Sequence, residues 1–437
     1  MAKPKLALIP AAQGSDKLFS VLPSSGVGDF DFIRPSSATR INSKGLIEEV
    51  ATKESRLNYP MIDGKVVGCP HHILEPSRTN LITYSEAFDN AAWNKINTTI
   101  QSDESISPNG SLNASKLSTN NSNGVHIITD ALTGSLQMTY SVFFKKGEYK
   151  YGSMSLINGG NSRGSGVVID LDTFQVVSSQ TSSSSFTFKA DNYGNGWIRC
   201  ELTVNNTNSI ISLAVIGSWN GIGSVTWNSG FRTPSYIGDS SKGVYIYGAQ
   251  LEQGSYPTSY IPTNGTTVTR SAETANGSGD ADTFNDSEGV LMLEASSNST
   301  TSVIWSVTDG SNSNAVSLYY GSQGVICDIF SSVGVRTLVA TMPIKYRTNM
   351  NKFSIKYKSN DIGLWLNGYE LAVNTQTISL SGLNELEGAY GSGSFPFYGS
   401  AKQIQYYDSA LTDSELEQLT SWTSFIDMAQ GQLYTIE

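Results

Sequence analysis

Through most of this chain, apolar and polar side chains alternate with a period of two over short runs, and turn residues separate the runs. That period marks a strand with one buried face, because successive side chains leave the backbone on opposite sides. From Thr139 to Lys145, Tyr140, Val142 and Phe144 share one face while Ser141, Phe143 and Lys145 share the other. Further strands are predicted at 151–157, 166–171, 196–204, 210–216 and 243–247, with the spacing of an antiparallel sandwich. The cleanest alternation runs from Lys352 to Lys358, with Phe353, Ile355 and Tyr357 inward and Lys352, Ser354, Lys356 and Lys358 toward water. Ser359-Asn360-Asp361 then turns the chain into Ile362, Leu364 and Leu366, and Asn367-Gly368, the strongest short hairpin signal, turns it into Tyr369 to Val373.

Near the C-terminus the signals change. Thr412 as N-cap with Glu415 three residues on makes a capping box, and Leu411 can staple to Leu416. One helix of about 12 residues, to roughly Ser424, is predicted. Residues 1–79 keep neither period: apolar pieces such as 6–9 and 45–50 are broken by Pro10, Pro23, Pro35 and Pro60. Such a segment has no core of its own and is ordered by lying on later domains, a sister chain or a larger assembly. Between 244 and 273 the strand pattern of Val244, Ile246 and Gly248 gives way to Pro257, Pro262 and Asn264-Gly265, and a central strand cannot run through both prolines. The Ser, Thr, Asn and Gly that follow fit an exposed connection better than a core. The expected fold class is all-β: an extended N-terminal arm (1–79), a jelly-roll β-sandwich (80–262), a linker (263–283), and a second antiparallel jelly-roll sandwich (284–437) carrying one short C-terminal helix. No repeat of 20 to 50 residues points to a solenoid.

Several uncommon words occur in a fixed order. They are Phe32-Ile33-Arg34, Ala38-Thr39-Arg40-Ile41-Asn42, Gly45-Leu46-Ile47-Glu48, Arg56-Leu57-Asn58-Tyr59, Cys69-Pro70 and Leu74-Glu75-Pro76-Ser77-Arg78-Thr79-Asn80-Leu81. Tyr84 to Phe88 with Trp93, Val168 to Asp172, Gly194 to Cys200, Gly248 to Glu252, Ser259 to Thr263 and Thr269-Arg270 continue the series. Together they resemble bacteriophage virion fibre and tail proteins that carry a carbohydrate-binding-like sandwich. In that family Pro usually precedes the Arg of an R-x-D-Y-like word, and Ser55 and Asn58 depart from it here. The meander ending in Leu364-Trp365-Leu366-Asn367-Gly368 and the tail from Ile404 to Leu416 resemble the laminin-G and concanavalin-like jelly roll.

Composition narrows the functions. Charged residues are only 15% of 437, and a net charge of −10 leaves no basic field for a phosphate backbone, so nucleic acid is not an expected partner. Three widely spaced cysteines, Cys69, Cys200 and Cys327, do not make a disulfide framework and are expected to be buried small hydrophobes. No run is long enough to cross a bilayer, and the apolar start is too short for a signal peptide, so synthesis in the bacterial cytoplasm without membrane insertion is expected.

Candidates for chemistry are few. Cys69-Pro70-His71-His72 has no second Cys/His pair to complete a metal site and reads as a turn. Asp170/Asp172 and Asp280/Asp282 could flank a glycosidic bond, but solvated turns are the ordinary reading of both. No nucleophile elbow, zinc helix or phosphate loop occurs, so neither enzymatic activity nor a cofactor is expected, and with no D-x-D-x-D-G loop no calcium ligands are assigned. The 21 Tyr and 7 Trp are the better candidates, since aromatic faces stack on sugar rings. Trp219 and Trp227, with Asn220 and Asn228 as hydrogen-bonding neighbours, form one candidate carbohydrate site and Phe397 with Tyr398 another, each set against packing in a core. The resemblance implies a virion structural protein anchored to other virion proteins by arm residues Phe32, Arg34, Arg40, Leu46, Ile47, Arg56 and Tyr59. It further implies a homotrimer located in the virion, with host surface glycans as possible ligands. A host-receptor adhesin is the alternative, and a polysaccharide depolymerase a third.

Overall fold

The computed structural model describes residues 2–9, 12, 14–160, 162–299, 303–391, 393–424 and 426–428. Its first sandwich faces two antiparallel six-stranded sheets. One runs in the order Thr98–Ile106, Leu112–Thr119, Gly243–Gln253, Gln137–Lys145, Trp197–Asn206 and Ser184–Gly194. The other runs Asn94–Ile96, Ile127–Ala131, Leu213–Trp219, Tyr151–Ile157, Gly164–Asp170 and Val176–Ser182. Tyr140, Val142 and Phe144 meet Met154, Val167 and Ile216 between the sheets, as the alternation from Thr139 to Lys145 predicts.

The second sandwich has a five-stranded sheet from Val303 to Glu387 against an eight-stranded one. Asn351–Lys358, Ile362–Leu366 and Tyr369–Asn374 form the predicted meander. Asn367 and Gly368 sit at φ +50° and +89°, the paired positive values that a two-residue type I′ turn requires. A short helix, Asp413–Thr420, opens with the predicted capping box: Thr412 Oγ1 accepts from the Glu415 amide, and the Glu415 carboxylate accepts from the Thr412 amide. Leu411 and Leu416 pack together with Val290, Trp365 and Tyr407. The helix covers the face of Lys352–Lys358 expected to meet water. Lys356 is buried, with its ammonium 2.7 Å from both Asp413 and Asp361, and the buried Lys352 donates to the Ser421 carbonyl at 3.1 Å. Lysine stems lie along apolar surface while their heads reach acceptors, so a period-two lysine row does not by itself mark the wet face.

The N-terminal segment is not a free arm. Leu6–Leu8 pairs with Gly399–Tyr407 in the register Leu6↔Tyr406, and His71–Leu74 pairs with the other end of the same strand. Both belong to the eight-stranded sheet, with Leu57–Asn58 at its edge. Leu6, Leu8, Leu18, Phe30, Phe32 and Leu74 are core residues of the second sandwich, so the division at 284 cuts through a single core. The expected exposed linker is in part interior: residues 264–267 and 280–282 are exposed, but the stretch between them enters the fold. Val268–Arg270 pairs with Arg78–Asn80, Thr274–Asn276 pairs with Phe30–Ile33, and Glu273 and Ala275 are fully buried. Within that stretch small polar side chains make buried hydrogen bonds: Ser278 Oγ donates to the Gly28 carbonyl at 2.7 Å.

Candidate functional site

The pleat that buries Ile198, Cys200 and Leu202 in the first sandwich sends Arg199, Glu201 and Thr203 to the sheet's outer face. Register sets Lys189 opposite Glu201, Asp191 opposite Arg199, and Phe143 opposite Arg199 on the other side. This outer face floors a cleft of about 970 Å³. The segments around Thr39–Ile41 and Asn58–Ile62 form one wall, the Ser255–Tyr260 loop another, and Ser400 and Lys402 of the second sandwich close one end.

The floor is polar, with Arg199 buried, Asp191, Tyr193 and Glu201 half-buried, and Thr187 and Lys189 exposed. The Arg199 guanidinium donates to Ser141 Oγ at 2.9 Å and to the Thr258 carbonyl at 2.8 Å, and lies 5.6 Å from the Phe143 ring centre. Tyr193 packs edge-on against Phe143 at 5.0 Å. Gln250 donates to Glu252 at 2.7 Å, and Glu252 accepts from the amide and hydroxyl of Thr258, which fixes the loop. Glu201 is held less firmly: its nearest ion-pair contact is Arg199 Nε at 4.0 Å, beyond hydrogen-bond reach. Burial raises its carboxyl to about 7, against the pull of Lys189.

Beneath one wall lies a buried cluster of three arginines and two glutamates. Glu273 accepts from Arg34 Nη1 at 2.9 Å, from Arg56 Nε at 2.8 Å, and from Arg56 Nη2. Glu75 meets Arg56 and Arg270 at 2.8 Å each and accepts from Ser259 Oγ at 2.6 Å. Arg56 also donates to the Thr39 carbonyl. Desolvation works against the charged form of Glu75, but Arg270 and Arg56 outweigh it and hold the carboxyl well below its usual range. The same contest leaves the Arg56 guanidinium more firmly protonated, through Glu273 and Glu75, whereas burial lowers that of Arg34. The words Phe32-Ile33-Arg34, Arg56-Leu57-Asn58-Tyr59, Leu74-Glu75-Pro76, Ser259-Tyr260 and Thr269-Arg270 are thus brought to one point, joining the N-terminal segment, the first sandwich and the former linker.

The carbohydrate candidates chosen from sequence do not line this cleft. Trp219 is 8% exposed and packs at 4.9 Å on Tyr151, its cross-strand partner in the sheet that does not floor the cleft. Trp227 is half-buried and donates to Ser178 Oγ at 3.2 Å. Asn220 and Asn228 use their side-chain carbonyls to close local turns, accepting from Ile222 and from Gly230 and Phe231. Phe397 is a core residue beside Trp305, and Tyr398 packs half-buried on the same core. These aromatics do structural work that a loop-rich sequence context concealed.

The assembly residues of the segment are likewise engaged within the chain. Phe32, Arg34 and Arg56 are buried in its interior, and Ile47 packs with Phe143, Trp197 and Tyr247. Arg40 pairs with Glu48 at 2.5 Å, Leu46 is half-buried, and Tyr59 lines the cleft. His71 and His72 form a buried strand instead of a turn, and no group of three metal-ligating side chains occurs among the described residues. Cys200 and Cys327 are buried as expected, but Cys69 is exposed. Asp170 and Asp280 accept from backbone amides of their own turns. Sequence reading missed Glu201 and Glu273, since only strand register and a distant chain crossing give them meaning.

No family model matches the chain, and no curated protein matches it. Among solved structures it is similar to the Ruminococcus gnavus IT-sialidase CBM40 bound to alpha2,3 sialyllactose, at 21% identity over 31% of this chain and 84% of that one, with TM-score 0.28. Domain 4 of a GH43 extracellular arabinanase from Geobacillus stearothermophilus, in complex with arabinotriose, gives 14% identity, 34% and 73% coverage and TM-score 0.28. Mouse laminin alpha1 domains LG4-5 give 9%, 67% and 89%, and TM-score 0.23. With TM-scores this low, the likenesses carry no weight for ligand or activity.

Proposed function

We propose that this chain is a non-enzymatic structural protein of a bacteriophage particle, a fibre, tail or capsid appendage, that holds a glycan-binding sandwich in a fixed pose. The observation that carries the reading is the convergence of the resembled words, through Arg34, Arg56, Glu75, Ser259 and Arg270, on one buried cluster. The words that resemble virion proteins are the ones that brace this architecture. Contact with other virion proteins falls to the outer side of the N-terminal segment, where Ile9, Phe19, Val21, Val27 and Ile33 are exposed. A homotrimer is the expected assembly, made in the bacterial cytoplasm and carried in the virion. Immunogold labelling of purified particles with antibody to the full chain, together with mass spectrometry of those particles, tests the reading. Label on an appendage supports it, and particles free of the chain overturn it. The cleft favours a second role, adhesion to a host-surface glycan, because its polar floor and tyrosine-bearing walls suit a hydroxyl-rich ligand.

A further inference from the structure

The proposed glycan-holding role leaves open which glycans the cleft accepts, and its charges bear on that question. Among the cations lining it, Arg40 is held by Glu48, and Lys189 by Asp191 at 2.6 Å. Lys402 is held by Glu294 at 2.8 Å, and Arg199 donates through Nη2 to Ser141 Oγ and to the Thr258 carbonyl. Recognition of a uronate or sialate carboxylate calls for an uncommitted guanidinium fork or ammonium. Arg40, Lys189 and Lys402 are paired with carboxylates, and the Nε of Arg199, which has no hydrogen-bond partner among the described residues, has Glu201 at 4.0 Å. Among the described residues Arg199 and Glu201 have no closer ion-pair contact than each other, at 4.0 Å, so the carboxyl of Glu201 stands beside the open edge of that guanidinium. An anionic ligand would meet that carboxyl and Asp191 as like charges.

Resting on that role, we infer that the cleft floored by Ser184–Gly194 and Trp197–Asn206 takes an uncharged, hydroxyl-rich oligosaccharide and excludes uronate- and sialate-bearing chains. A sugar hydroxyl both donates and accepts, so it satisfies Glu201 in either protonation state. Half-buried Tyr59, Tyr193 and Tyr256 supply aromatic surface along the floor and walls for the apolar faces of sugar rings. The volume, about 970 Å³, lies at the upper end of the usual range for small-molecule sites and suits several rings instead of one.

The test is affinity electrophoresis of the full chain in gels containing dextran, mannan or β-glucan, beside gels containing alginate, hyaluronate or polysialic acid. Retardation by a neutral polymer and by no anionic one is the expected result. Glu201→Gln should weaken it about tenfold, the worth of one hydrogen bond to a charged group. Thr187→Trp, a substitution at an exposed position in the cleft, should abolish it with an unchanged melting temperature. Retardation by an anionic polymer that Thr187→Trp removes would overturn the ligand class while leaving the site. Neutral binding untouched by both variants would overturn the site. No retardation in any gel would overturn this inference and the glycan-holding role together, leaving the structural role to the particle-labelling test.

Discussion

Replacing Glu273 by Gln is the most exacting test of how the chain is braced. The Glu273 side chain is fully buried and neutralises Arg34 and Arg56, whose own side chains are also fully buried. Gln keeps the shape but turns an acceptor into a partial donor and removes one of two negative charges facing three arginines. Arg34 would retain only the carbonyls of Ser36, Val50 and Ala51, and Arg56 would keep Glu75. Removing one partner of a buried pair costs about 3–5 kcal/mol, most of it the cost of stranding the other charge. The loss should appear in urea unfolding followed by tryptophan fluorescence, with Trp197 reporting the first sandwich and Trp305 the second.

Because the cluster ties both sandwiches to residues 1–79, the variant should also lose amide protection in Leu6–Leu8 and His71–Leu74 before the strands of the first sandwich open. Replacing Arg34 and Glu273 together by Met should recover part of the stability, since well-packed apolar side chains often match a buried ion pair. A loss under about 1 kcal/mol for Glu273→Gln, with protection unchanged, would refute the bracing argument.

The remaining expectations are independent of that cluster. A chain beginning at Asn80 lacks Leu6, Leu8, Leu18, Phe30, Phe32 and Leu74, so its second sandwich should be unfolded by near-ultraviolet circular dichroism and rapidly cut by protease while the first persists; a folded second sandwich would refute the shared core. Burial first, then Lys402, lowers His71 to about 4, and burial with its neighbour His71 lowers His72 to about 3. Both are neutral in the folded state and titrate near 6.5 when unfolded, so their contribution is complete above pH 6.5 and is lost as pH falls toward 4 and 3. At pH 5 the loss is about 2 kcal/mol for each, and His71→Gln/His72→Gln should flatten the stability profile between pH 7 and 5; an unchanged slope would refute it. Trp219→Ala should cost about 3 kcal/mol of stability with retention on glycan gels unchanged, the opposite of what a sugar-stacking residue would give.

What the sequence reveals here follows from the range over which its signals act. The meander from Asn351 to Asn374, the hairpin at Asn367-Gly368 and the capping box at Thr412 depend on neighbours a few residues away, and each is legible. The strands of the N-terminal segment are mostly two to four residues long, too short to display a period, and Leu6 finds its partner at Tyr406. The candidate site fails for a related reason: Trp219 and Phe397 sit among Gly and Asn, which marks turns but does not say what a ring packs against. Glu201 looks like any outward strand residue until the N-terminal segment covers its face.

Bracing and binding are physically linked, because the cleft's walls are held by the same segment that the ion cluster secures. A site whose walls are fixed in advance loses less freedom when a ligand arrives. Glu273→Gln should therefore weaken glycan retention although Glu273 does not line the cleft, and should do so in proportion to the lost amide protection at His71–Leu74. Glu201→Gln should weaken retention with stability kept or raised, since it removes a half-buried carboxylate whose ion-pair contact is as long as 4.0 Å. If both variants lowered retention and stability together, cleft and brace would be one cooperative unit. If Glu273→Gln lowered stability alone, the walls would be set by the first sandwich itself, and the N-terminal segment would serve the second sandwich only.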